Sequence, residues 1–297
     1  MERAQTQSAQ TQHVQIEYVH IERDGAVGTL HLARPERFNS LDPPTARQLR
    51  RAGLQLARDP AVRCVVLRGE PGMFCSGVDL KDVRAGGEPS ELGYLRPAGQ
   101  AEPAGAGSIF KEVLEYLHST ISEIRRSPKP WIAAVDGIAA AGGLGLALCC
   151  DLVVASERAT FEYAYLKTGL CGAESSTFFL PRLVGLRRAL DLALLGQRLD
   201  AHTAMQWGLV SAVFPQDRFE DEVTALARRL AEGPTAAIAA AKGLLNASTF
   251  GERLDLHLDH ELEALVRTAD SADFAEGLAA FFAHRAPVFL PPSFPGG

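Results

Sequence analysis

The chain has 297 residues, of which 46% are hydrophobic and 22% charged, and its formal net charge is -6. That length can bury a full core, and the composition excludes the disordered and collagen-like classes. The 30 Lys and Arg residues are scattered and form no basic stripe of the kind nucleic acid requires, so nucleic acid is excluded as a partner.

Residues 1–12 are polar and Gln-rich, with no apolar stretch of the secretory type, so residues 1–13 are expected to be a loose tail. Five cysteines, Cys64, Cys75, Cys149, Cys150 and Cys171, are an odd number and carry no zinc spacing. They read as buried thiols of a reducing cytoplasm, and no metal site is expected.

Two β-rich stretches in residues 14–33 flank Arg23-Asp24-Gly25, a hairpin signal in which Asp-Gly supplies positive φ values. A helix is expected over 42–56, with Asp42 as N-cap and Pro43 in the first turn. Short apolar runs at 64–67, 131–135 and 152–155 alternate with helical patterns, which implies an α/β fold with largely covered sheets. Residues 84–108 turn to Gly, Pro, Ala and Glu, so a mobile loop is expected there. The helical stripe that follows, over 109–126, carries Phe110, Val113, Leu114, Leu117, Ile121 and Ile124, and Pro128 and Pro130 end it.

The 20 residues 131–150 hold a single charge, Asp136, and have the length of a membrane span. Asp136-Gly137 and Gly142-Gly143 interrupt them, which suits a strand, a turn and a buried helix, so no membrane association is expected. Further helices are expected over 186–195, 201–207, 219–231, 235–246, 254–267 and 273–284. The pattern divides into a core over 14–215 and a helical region over 216–297.

Two glycine-bearing turns, residues 73–80 and 139–145, each stand where a strand gives way to a helix. Small residues there allow backbone N–H groups to face outward, and the first amides of a helix are unpaired donors with partial positive charge. Two such donors converging on one oxygen make an oxyanion hole. The rival G-x-G-x-x-G and G-x-S-x-G signatures are absent.

The order of the segments is more specific than either turn. RPERFNSL (residues 34–41), FCSGVDL (74–80), KPWIAAVDGIAAAGGLGLALCCDLVVAS (129–156) and FLPRLVGLRRALDLALLGQRLDAHTAMQWGLVSAVFP (179–215) together resemble the crotonase, or enoyl-CoA hydratase/isomerase, superfamily. The resemblance runs over about residues 14–290. It implies a ClpP-like spiral of ββα units with a C-terminal helical trimerisation region, assembled as a homotrimer or hexamer. The implied substrate is an acyl-CoA thioester, or an acyl group on a carrier protein's phosphopantetheine arm, with no separate cofactor.

The same resemblance maps the two oxyanion donors onto the N–H groups of Val78 and Gly142. Two glutamates that activate water in the hydratases align with Gly145 and Tyr165, which argues against simple hydration because neither residue is a carboxylic acid. Related isomerases and an aryl-CoA dehalogenase use one acid in the loop after Gly169; it aligns with Ala173, one residue before Glu174. Glu174 is thus the candidate base, or alternatively a cap on the helix that follows. Tyr165 is a hydrogen-bond donor to substrate or part of the pocket wall, and Arg37, Lys81 and Arg285 are candidate partners for the CoA phosphates. Asp79 and Cys75 are expected to be structural and His118 to lie on a helix surface. The expected chemistry is isomerase-type proton transfer through a thioester enolate. Decarboxylation, hydrolysis, atypical hydration and non-catalytic acyl-CoA binding are the alternatives.

Overall fold

A computed structural model describes residues 14–16, 18–70, 72–86 and 106–249, together with 272, 276, 280, 283–285 and 287–289. The expected tail, most of the 84–108 loop, the helix over 254–267 and most of the closing helix lie outside the described residues.

Strands β1 (Val14–Ile16), β2 (Val19–Asp24) and β3 (Val27–Leu32) open the chain as an antiparallel meander. Asp24 pairs with Val27 as the last rung of the hairpin, and Gly25 alone takes the positive φ, at 57°. The expectation that Asp24 shares the left-handed turn is therefore corrected: Asp24 stays extended as a strand residue. Helix α1 (Pro43–Arg58) begins as expected, the Asp42 carboxylate accepting the Thr45 N–H at 2.9 Å. It runs two residues past the expected end, to Arg58.

From β3 onward the seven-stranded sheet is parallel, adding β4 (Cys64–Gly69), β6 (Trp131–Val135), β8 (Leu152–Ser156) and β11 (Ala212–Phe214) in that order. Alternate residues of a strand face opposite sides, and both sides of this sheet are covered. Val65, Leu67, Ala133 and Val135 enter the core shared with α1 and α3 (Ala106–Arg126). Cys64, Val66, Ile132 and Ala134 face the other way, against Phe219, Val223, Ala227 and Ala231 of α8 (Phe219–Ala231). Two-sided burial is why these strands read as unbroken apolar runs rather than as alternation.

Sequence reading missed a second sheet. Strands β5 (Met73–Cys75), β7 (Ile138–Ala140), β9 (Thr160–Glu162) and β10 (Arg198–Asp200) form it, in the order β10-β9-β7-β5. Each has only three residues, too few for a periodicity to register. The membrane-length segment resolves into the expected strand β6, turn at Asp136-Gly137 and buried helix α4 (Gly142–Leu148), with the unforeseen β7 between turn and helix. No helix among the described residues is long and apolar enough to cross a membrane.

Beyond β9 the chain is mostly helical: α5 (Ser176–Val184), α6 (Leu186–Leu195), α7 (Ala201–Trp207), α8 and α9 (Thr235–Thr249), after α2 (Leu80–Ala85) in the first half. Lys242 docks α9, donating to the Ile124 and Lys129 carbonyls at 2.9 Å each and pairing with Asp151 at 2.7 Å. The mixed α/β architecture with a helical C-terminal portion agrees with the fold class expected from the motifs.

Candidate active site

The two glycine turns end the adjacent parallel strands β5 and β7, which pair Met73 with Ile138 and Cys75 with Ala139. Neighbouring parallel strands deliver the turns that follow them to the same edge. A methyl group built on Gly77 would lie 3.0 Å from the Gly142 nitrogen. The segment after β5 is held by Leu41, whose N–H donates to the Gly77 carbonyl and whose carbonyl accepts the Asp79 N–H, both at 2.9 Å. Successive peptide groups of an extended chain point to opposite sides. With Gly77 C=O and Asp79 N–H turned to Leu41, the Val78 N–H faces away from it.

Gly142 is the first residue of α4, so its amide has no partner within the helix. Among the described residues neither the Val78 nor the Gly142 N–H donates a hydrogen bond. Before Gly142, Ala141 holds φ 46° and ψ −117°, a conformation costly for a residue with a Cβ. Its own N–H is tied to the Glu162 carbonyl at 3.1 Å.

The loop before α5 brings a carboxyl group to this point. A methyl group on Gly142 would come within 3.0 Å of the Glu174 Cδ and 3.2 Å of each carboxylate oxygen. Glu174 is 1% exposed and receives a short hydrogen bond from the Tyr165 hydroxyl, which also lies 3.0 Å from the Ala173 carbonyl. Burial pushes the Glu174 carboxyl above the ordinary carboxylate range, while the Tyr165 hydrogen bond pulls the other way. Burial and the facing carboxylate raise the Tyr165 phenol, which stays protonated and a donor. Glu174 does not cap α5: Ser175 occupies the N-cap position and no side chain accepts from the first turn. The capping alternative is thus ruled out by where the side chain goes.

Glu174 and Ser175 both have positive φ, 46° and 61°. Two successive non-glycine residues in the left-handed region mark a loop that its surroundings hold in place. Ser176 supplies part of that hold, its N–H and hydroxyl both donating to the Ala173 carbonyl, at 2.9 and 2.6 Å.

Asp79 caps α2, accepting the Lys81 and Asp82 N–H groups at 3.0 and 3.2 Å, and takes a two-pronged bond from Arg37 at 2.9 and 2.8 Å. Burial alone would raise its pKa; the Asp82 amide and Arg37 outweigh it and hold the carboxyl low. Its expected structural role agrees with these contacts. Arg37, read from sequence as a candidate phosphate partner, pairs with Asp79. Lys81 is exposed on the first turn of α2. Arg285 is exposed and paired with Glu276 at 2.6 Å.

Cys75 is fully buried and its thiol is pushed up to about 12 by burial, as suits a packing residue. His118 is exposed on α3. Four of the five cysteines are buried but Cys171 is exposed, a correction to the expectation of five buried thiols: it sits in the loop between the turn at 164–168 and α5, where the backbone runs along the surface. Among the described residues no group of three or more His, Cys, Asp or Glu side chains could hold a metal ion.

Comparison with known proteins shows the family. Residues 22–291 match the family model described as Enoyl-CoA hydratase/isomerase. The chain is 37% identical over 263 residues to the 1,2-epoxyphenylacetyl-CoA isomerase of Escherichia coli strain K12, covering 89% of this chain and 94% of that protein. It is 34% identical over 261 residues to 4-chlorobenzoyl coenzyme A dehalogenase-2 of an Arthrobacter species, covering 88% and 89%. The crystal structure of an enoyl-CoA hydratase from Polaromonas sp. JS666 superposes with a TM-score of 0.79 at 31% identity, over 91% of this chain and 98% of that one. Motif order, paired turns, fold and these likenesses converge: the chain belongs to the enoyl-CoA hydratase/isomerase family, the crotonase superfamily of acyl-CoA enzymes.

Proposed function

We propose that this protein is an enoyl-CoA isomerase-type enzyme in which Glu174 moves a proton while the Val78 and Gly142 N–H groups hold the thioester oxygen. The observation that carries the reading is the buried Glu174 carboxyl, held by Tyr165 against the α-carbon of Gly142. A thioester whose oxygen lies between those amides would present its neighbouring carbons to this carboxyl.

The chemistry follows from the arrangement. Glu174 as carboxylate takes a proton from the α-carbon; the C–H electron pair moves into the adjacent bond and the negative charge collects on the thioester oxygen. Fixed N–H dipoles stabilise that charge without having to reorganise. The protonated Glu174 then returns the proton to the γ-carbon, the double bond settles next to the thioester, and the carboxylate is regenerated. A carboxyl raised by burial suits both halves of this cycle, since proton transfer is most effective when the pKa of the group approaches the working pH. Tyr165 is a positioning residue in this scheme, and exposed Lys81 beside the first turn is the candidate cation for the CoA phosphates.

Glu174→Gln is expected to abolish solvent deuterium exchange at the acyl α- or γ-carbon of a 3-enoyl-CoA while sparing ligand binding. Unchanged exchange removes Glu174 from the mechanism. Mass spectrometry across an acyl-CoA panel separates the alternatives: isomerisation leaves the mass unchanged with a new chromatographic isomer, whereas hydration, decarboxylation and hydrolysis each change it.

The reading extends to assembly as a homotrimer or hexamer. Leu186, Leu190 and Leu194 recur every four residues on one side of α6 and are exposed, Leu194 at 67%. Such a stripe on a globular protein marks an interaction surface.

A further inference from the structure

We propose that Gly145 is a positioning residue of this site: its missing side chain is the space in which the Glu174 backbone is seated, and this is what lets the Glu174 carboxyl reach Gly142.

Gly142 and Gly145 are three residues apart on α4 and so share one face of the helix. The Glu174 loop covers that face. At Gly142 it is the carboxyl group that approaches, but at Gly145 it is main chain: a methyl group there would meet the Glu174 carbonyl oxygen at 2.1 Å, with its carbon and Cβ at 2.9 Å each. No side-chain rotation relieves a clash with backbone. Nor is the loop free to step back. The Ala173 carbonyl is gripped by the Ser176 N–H and hydroxyl, with the Tyr165 hydroxyl 3.0 Å away, and Glu174 and Ser175 are already in the left-handed region.

Any larger residue at 145 therefore displaces Glu174 from Gly142. The consequence for the reaction is a misplaced proton-transfer group. The functional consequence rests on the proposed role of Glu174, whereas the steric claim does not.

The test is a double-mutant cycle read by thermal unfolding, with Gly145→Ala made alone and together with Glu174→Gly. Glycine at 174 removes the Cβ and frees the backbone to turn the carbonyl aside. Gly145→Ala is expected to lower Tm by about 4 °C or more in the wild-type background and by less than half as much beside Glu174→Gly. Equal losses in the two backgrounds overturn the proposal. If Gly145→Ala alone does not accumulate as folded protein, recovery by Glu174→Gly supports the proposal, and failure of both proteins overturns it. On a 3-enoyl-CoA, folded Gly145→Ala is expected to lose about a hundredfold in kcat with KM within about threefold of wild type; an unchanged kcat also overturns it. The thermal cycle uses no substrate, so an active Glu174→Gln enzyme would sink the proton-transfer reading and leave the steric claim to its own result.

Discussion

Glu174 is the residue on which burial, charge and backbone conformation meet. Its carboxyl is raised by burial, so the folded state holds the proton more tightly than the unfolded chain does. Stability gained this way is fully present below the unfolded pKa and is lost as pH rises through the folded one. Glu174→Gln cannot ionise, so it is expected to unfold at a higher temperature than wild type near about pH 8, with the gap closing towards about pH 4. Thermal unfolding across that range checks it; a gap that widens in acid would contradict the buried environment. Tyr165→Phe removes the hydroxyl that lowers the Glu174 pKa. The acidic limb of the kcat pH profile is then expected to move to higher pH, with kcat falling more than KM. A limb that does not move would leave Tyr165 as wall alone.

At the scale of elements, the site depends on how turns are tied to their neighbours. Asp42 caps α1 through Thr45 and pairs with the buried Arg34 at 2.8 Å. Its neighbour Leu41 clamps the turn that carries Val78. Asp42→Ala removes a cap and leaves a buried guanidinium short of a partner, and is expected to cost about 2 kcal/mol in urea unfolding. A cost below about 0.5 kcal/mol would mean that Arg34 finds other acceptors. Much at this scale was readable in advance. Helices α1, α6, α7 and α8 were legible because apolar spacing and end signals coincide, with Asp42-Pro43 at one start and Gly196 and Gly208 after two of the ends. Strands β5, β7, β9 and β10 were not, being three residues long and defined by their partners.

For the whole molecule, the proposed assembly is tested at the exposed leucines of α6. Substituting Leu190 and Leu194 together by Asp is expected to turn an oligomer into monomer, read by sedimentation equilibrium, with far-ultraviolet circular dichroism unchanged. An unaltered mass would place the interface elsewhere. The candidate site is likewise a property of the whole chain, since residues from β5, β7, the turn at 164–168 and the loop before α5 meet within a few ångströms. Glu174 and Tyr165 were legible as candidates only through motif order, because their sequence separation of nine residues follows no local periodicity. The pairing of Arg37 with Asp79 was not legible, because the two lie 42 positions apart.

The sequence by itself determined the fold class, the principal helices, the family and the two glycine turns, because these are written in local signals: apolar periodicity, capping residues, breakers and motif order. Tertiary structure alone decided that the turns meet, that Glu174 faces Gly142 instead of capping α5, that Arg37 pairs with Asp79 and that Gly145 has no room for a side chain. Those are distances between residues far apart along the chain. Periodicity can say which face of an element is buried, but only folding sets what that face is buried against.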